Sequence, residues 1–171
     1  MSKLPFIIVE NDIDIRLTRL LILISELSYS SKKNPILTID KIAVYDFLLR
    51  YPTILYRITK IENFKKSFDL EDYEFNNIES NYPDLSILYD YTVLTKLLQI
   101  LICYGYVSTT VSKEAFYIIT DAGNEFLSSL TSEYIKRLKE LVVILLQMRT
   151  LNFQKLNKSI NLAIDGGNIY E

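Results

Sequence analysis

Between Ile87 and Leu130 the hydrophobic period changes from helical to extended and back, which constrains the fold more tightly than any other stretch of this chain. Ile87, Leu88, Tyr91, Leu94, Leu97, Leu98, Leu101 and Ile102 recur at helical spacing, and Gly105 stands where a helix end favours a residue tolerant of positive φ. Tyr106 to Val111 and Ala115 to Ile119 are rich in β-branched and aromatic residues and flank the polar Ser112-Lys113-Glu114, a pattern that predicts a hairpin. Thr120 then offers a side-chain oxygen to cap a helix bearing Phe126, Leu127 and Leu130.

The chain upstream extends this order. Leu4 to Val9, interrupted by Pro5, suits an edge strand or an extended arm. Asn11 and Asp12 offer caps for a helix with Ile13, Leu17, Leu20, Leu21, Ile24 and Leu27 on one face, leaving Arg16 and Arg19 on a solvated surface. Ile36-Leu37-Thr38 supplies a short strand for the hairpin. Asp40 to Tyr51 is a helix lined by Ile42, Tyr45, Leu48 and Leu49, which Pro52 ends or kinks. The resulting α-β-α-α-β-β order is that of a winged helix. The expected fold class is mainly α with a small β-hairpin: a winged helix over residues 1–130, an insert at about 53–84 between its second and third helices, a long C-terminal helical extension at 131–164 and a tail at 165–171.

Charge divides the insert. Arg57, Lys60, Lys65 and Lys66 face only Glu62 in its first half, whereas Asp69, Glu71, Asp72, Glu74, Glu79 and Asp84 fill a second half without a basic residue. Solvated faces explain such a split, and so does a basic patch for DNA phosphates beside an acidic segment that docks a basic partner. Tyr73, Phe75 and Tyr82 within the acidic half favour an interface. In the C-terminal extension Tyr134, Leu138, Leu141, Leu145 and Met148 follow heptad spacing, widened by Ile135, Val142 and Leu146. That surplus of apolar surface is expected to meet another chain, either a partner subunit or a second copy; burial within the monomer is the alternative.

Composition narrows the chemistry. The sequence has no histidine and one cysteine, Cys103, which reads as core packing. Without histidine, His-based triads and nearly all zinc sites are excluded, and no Gly-rich phosphate loop, HExxH, CxxC or GxSxG is present. Neither catalysis nor a cofactor is expected. The apolar runs fall well short of the roughly 18 residues that cross a bilayer, and Glu10 interrupts the amino-terminal run before it reaches signal-peptide length, so the expected address is cytoplasmic. Net charge is −2, and the groove-reading helix and wing balance Lys96 and Lys113 against Asp90 and Glu114, with Tyr89, Tyr91, Thr92, Thr95 and Gln99 left for base contacts. A neutral surface releases few counterions on DNA, so protein docking fits it better than sequence-specific repression.

Leu37 to Ile42, Tyr45-Asp46-Phe47-Leu48-Leu49-Arg50-Tyr51-Pro52, Gly105-Tyr106-Val107 and Tyr117 to Gly123 together resemble the middle component of ABC three-component systems, and the chain is similar in size and type to the small third subunit of Lamassu defence systems. The resemblance implies a non-catalytic accessory subunit that binds an ABC or SMC-like ATPase and an effector, acts against phage or plasmid DNA and has possible non-specific DNA contact within the complex. The alternative is a dimeric winged-helix transcription regulator.

Overall fold

The computed structural model describes residues 12–75, 82–149 and 151–165. The arm expected at Leu4 to Val9, the cap at Asn11, Glu79 and the tail beyond Asp165 lie outside them. The architecture is mainly helical with one two-stranded antiparallel hairpin, a layout consistent with a winged helix. None of the described helices is long and apolar enough to cross a membrane.

Helix α1 (Ile13–Leu27) starts where the Asp12 side chain accepts the Asp14 N–H at 2.9 Å. Leu20 to Ile24 are all buried, so the middle of this helix is enclosed on every side. Around it pack α2 (Ile39–Arg50), α5 (Tyr91–Cys103), α6 (Asp121–Ser129), α7 (Glu133–Leu145) and the second strand of the hairpin.

Pro52 does more than stop α2. It occupies the first turn of a new helix, α3 (Pro52–Ile61), where its missing N–H costs nothing and its fixed φ is already helical. Ile54, Leu55 and Ile58 sink into the core, so the first part of the expected insert is structural. Helix α4 (Asp72–Phe75) follows, and a 3₁₀ turn at Leu85–Leu88 leads to α5. The continuous helix expected from Ile87 is broken at Tyr89-Asp90, because the Asp90 carboxylate takes the Thr92 N–H at 2.9 Å and starts the helix afresh.

The expected strand at Ile36–Thr38 shrinks to one bond, from the Tyr117 N–H to the Leu37 carbonyl at 2.9 Å. Its neighbours have other commitments. The Ile36 N–H bonds Ser28, Pro35 has none to give, and Thr38 caps α2.

The hairpin matches its sequence pattern. Strands β1 (Val107–Val111) and β2 (Ala115–Ile119) pair in a register that sets Val107 opposite Ile119 and Val111 opposite Ala115. Gly105 has φ +75°, the left-handed conformation that ends α5. Thr120 then joins two elements: its hydroxyl donates to the Gly105 carbonyl at 2.7 Å and accepts the Gly123 N–H at 3.1 Å. Gly123 is where α6 meets the main chain of the α5 exit, since a Cβ there would lie 2.4 Å from the Tyr106 carbonyl oxygen. Gly123→Ala is therefore expected to destabilise the fold by about 3 kcal/mol in urea titration, because backbone cannot swing aside as a side chain can. Gly105→Ala, which meets open space but keeps the left-handed φ, is expected to cost about 1 kcal/mol.

The C-terminal helices share the core of the preceding elements. One buried cluster runs from Leu20 through Leu98 and Leu145 to Ile160. Helix α7 lies on α1 and α2, a 3₁₀ turn at Leu146–Met148 follows, and α8 (Phe153–Asp165) packs on α3 and α2.

Candidate docking surfaces

The heptad stripe faces inward. Leu138, Leu141, Leu145 and Met148 are 2 %, 2 %, 0 % and 0 % exposed, covered by their own chain, and of the five residues expected to meet a partner only Tyr134 reaches the surface. The added apolar width of α7, including Val142, is taken up by contact with both α1 and α2. This corrects the expected interface: two internal helices cover the surface assigned to another protein.

The four cations proposed for DNA phosphates have separate surroundings. Arg57 is half-buried and its Nη1 donates to the Ala163 carbonyl at 3.3 Å, at the C-terminal end of α8 where a cation is favoured. Lys60 is exposed and its Nζ lies 4.9 Å from the centre of the Tyr56 ring. Lys65 and Lys66 are exposed, and the Lys66 main chain is held at both ends by Gln147, through bonds of 3.1 and 3.0 Å.

Arg19 is 1 % exposed, so it does not sit on a solvated face; its Nε donates to Asp46 Oδ1 at 2.7 Å, while Arg50 Nη2 donates to Asp46 Oδ2 at 2.8 Å. Burial pushes the Asp46 carboxyl up, but the charges and hydrogen bonds of Arg19 and Arg50 outweigh it and hold the group below the ordinary carboxylate range. Asp46 and Arg50 belong to the Asp-Phe-Leu-Leu-Arg-Tyr-Pro stretch, whose distinctive composition thus has a structural cause. The readable signal was an Asp and an Arg four apart in a helix otherwise lined with large apolar residues.

A second buried pair lies in the acidic segment. Glu74 is 7 % exposed, and Arg137 grips it with Nε to Oε1 at 2.9 Å and Nη2 to Oε2 at 2.6 Å. Glu74 is therefore sequestered from its exposed neighbours Glu71 and Asp72. Cys103, expected in the core, is exposed at the end of α5.

The open surface of α5 and the hairpin differs from a DNA reader's. Lys96 and Lys113 are its exposed cations, beside Asp90 and Glu114. Tyr91 is not available to bases: its hydroxyl bonds Asp40 Oδ1 at 2.8 Å, and burial together with that carboxylate pushes its pKa up to about 12. Thr92 and Gln99 remain exposed, and beside them the surface offers apolar groups. Val93 and Ile102 are partly open, and Tyr89, Tyr104 and Val111 are 61 %, 66 % and 75 % exposed. Tyr104 stacks on Tyr106, which stacks on Phe126, with ring centres 5.7 and 4.8 Å apart, so the exposed ring has a rigid backing.

No curated protein gives a significant match to the chain, and no solved structure does. A family model does match, over residues 27–158, a span that holds α2 to α7, the hairpin and the start of α8. The chain belongs to the family described as ABC-three component (ABC-3C) system Middle Component 4.

Proposed function

We propose that this middle component is a non-catalytic docking subunit of winged-helix type, joining an ABC or SMC-like ATPase and an effector in a complex that acts against phage or plasmid DNA, as the small third subunit of Lamassu systems would. Family membership supports the ATPase and effector as partners. The observation that carries docking is the character of the α5 and hairpin surface: Tyr89, Val93, Tyr104 and Val111 are open to solvent where a duplex reader needs cations and amides. Aromatic side chains with rigid support are the usual anchors of protein interfaces. The same surface argues against the dimeric transcription regulator, because Lys96 and Lys113 beside Asp90 and Glu114 leave little counterion release to drive duplex binding. Within the assembly, the exposed Lys60 and Lys65 would add a sequence-independent phosphate contact, whereas Arg57 is engaged by the Ala163 carbonyl.

Titration of the purified chain with the ATPase and effector components of its own system tests this. Val93→Asp and Tyr104→Asp are each expected to weaken binding of one component by about 30-fold or more, which corresponds to the roughly 2 kcal/mol loss of an interface anchor. Far-ultraviolet circular dichroism should stay that of the parent, since both side chains are outside the core. Unchanged affinity for both components would rule out this surface.

A further inference from the structure

Helix α4 is four residues long, too short to hold its own shape in water. Burial of its central residue, Glu74, holds it. Besides the two bonds from Arg137, Glu74 Oε2 accepts the Glu71 N–H at 3.0 Å, Arg137 Nη2 reaches the Asp69 carbonyl at 2.7 Å, and the guanidinium lies 5.4 Å from the centre of the Phe68 ring. A buried ion pair contributes little net stability, because desolvation consumes most of the attraction, but it fixes geometry. Here it fixes a turn that displays aromatics. Tyr73 and Phe75, on either side of Glu74, are each 67 % exposed, and Tyr82 beyond them is 81 % exposed.

Beside this turn runs a groove of about 560 Å³. Phe68, Val143 and Ile144 give it an apolar lining, and Asp69 and Glu71 line it with carboxylates against the lysine of the lining, Lys66; Arg137 is held by Glu74 and, through Nη1 at 3.1 Å, by Glu140, which keeps the groove net acidic. We propose that α4 and this groove form a second docking site, taking a Lys- or Arg-bearing protein segment from another component of the complex, whose cations meet Asp69 and Glu71 while its apolar side chains pack on Tyr73, Phe75 and Val143. Charge complementarity selects that occupant. An acidic lining repels nucleic acid, and a second copy of this chain, at net charge −2, matches it less well than a basic segment does.

The inference rests on the docking reading above but uses a different surface, so the two can fail separately. The full chain is titrated calorimetrically with each purified component of its system at low and at moderate salt. Asp69→Lys with Glu71→Lys is expected to weaken one component at least tenfold and to flatten its salt dependence, and Tyr73→Ala with Phe75→Ala to weaken the same component by about 30-fold. The Asp69, Glu71, Tyr73 and Phe75 side chains are exposed, so the parent melting temperature is retained. Loss with these variants but not with Val93→Asp upholds the groove and dismisses the α5 surface; the reverse pattern dismisses the groove. Binding that ignores salt, affinity unchanged in both double variants, or a homodimer that the variants dissolve overturns the proposal. If the parent chain binds neither component, both readings fall.

Discussion

Replacing Asp46 with Ala is expected to cost about 3–5 kcal/mol, a large share of the roughly 5–15 kcal/mol that holds a domain together. Arg19 is 1 % exposed and cannot reach water, so removing the carboxylate leaves a guanidinium in a low-dielectric site without the counter-charge of position 46. At this chain length the loss corresponds to a fall of about 10 °C in melting temperature. The double change Arg19→Met, Asp46→Leu should recover much of it, because desolvation of both charges disappears with them. The triad also sets an acid limit. The folded Asp46 carboxyl titrates below its unfolded value near about 3.9, so the folded state binds fewer protons and its stabilisation is complete above that pH. It drains away as pH falls through the folded pKa. Urea midpoints measured downward from pH 5 should drop in the parent and drop less in Asp46→Ala, which has already lost this contribution. Equal stability of Asp46→Ala and parent at neutral pH would show that the triad does not support the fold.

Leu145→Asp is expected to unfold the isolated chain. Leu145 is fully buried between α7 and its neighbours. Truncating such a leucine costs about 2–5 kcal/mol, and a carboxylate in its place adds several more for desolvation, so the total exceeds what the domain can lose. Circular dichroism of the variant without any partner should show the loss, and Leu141→Asp should behave alike. Tyr134→Asp, at a position 38 % exposed, should leave the helix content intact. A folded Leu145→Asp chain that merely fails to bind its partners would instead return the heptad stripe to the interface.

That stripe shows where sequence reasoning reached its limit. A 4, 3, 4, 3 spacing establishes that one side of a helix is covered, because apolar side chains at that period share a face. It does not say what covers it. Here α1 and α2 do, and α1 itself comes more than a hundred positions earlier. The exposed anchors were less legible still. Val93, Tyr104 and Val111 have the composition of core residues, and only the packing of α5 and the hairpin leaves them outside.

Local chemistry was legible at many positions where neighbours in the chain decide the outcome, though not at Asp90, whose cap on Thr92 restarts a helix read as continuous. Gly105 ends α5 with positive φ, Thr120 caps α6, Asp12 caps α1 and the Ser112-Lys113-Glu114 turn sets the hairpin register, since each depends on bonds within a few residues. What required the tertiary structure is what joins distant positions: Arg19 to Asp46, Glu74 to Arg137, Leu37 to Tyr117. A charge in an apolar helix reads as solvated until its partner arrives from elsewhere in the chain, and the sign of its contribution depends on that partner's position. The sequence by itself determined most of the helices, the caps at Asp12 and Thr120, the hairpin and the family resemblance; the packing alone decided which apolar faces became core, which charges were buried and which aromatics remained for other proteins, because burial is a property of the whole chain folded together.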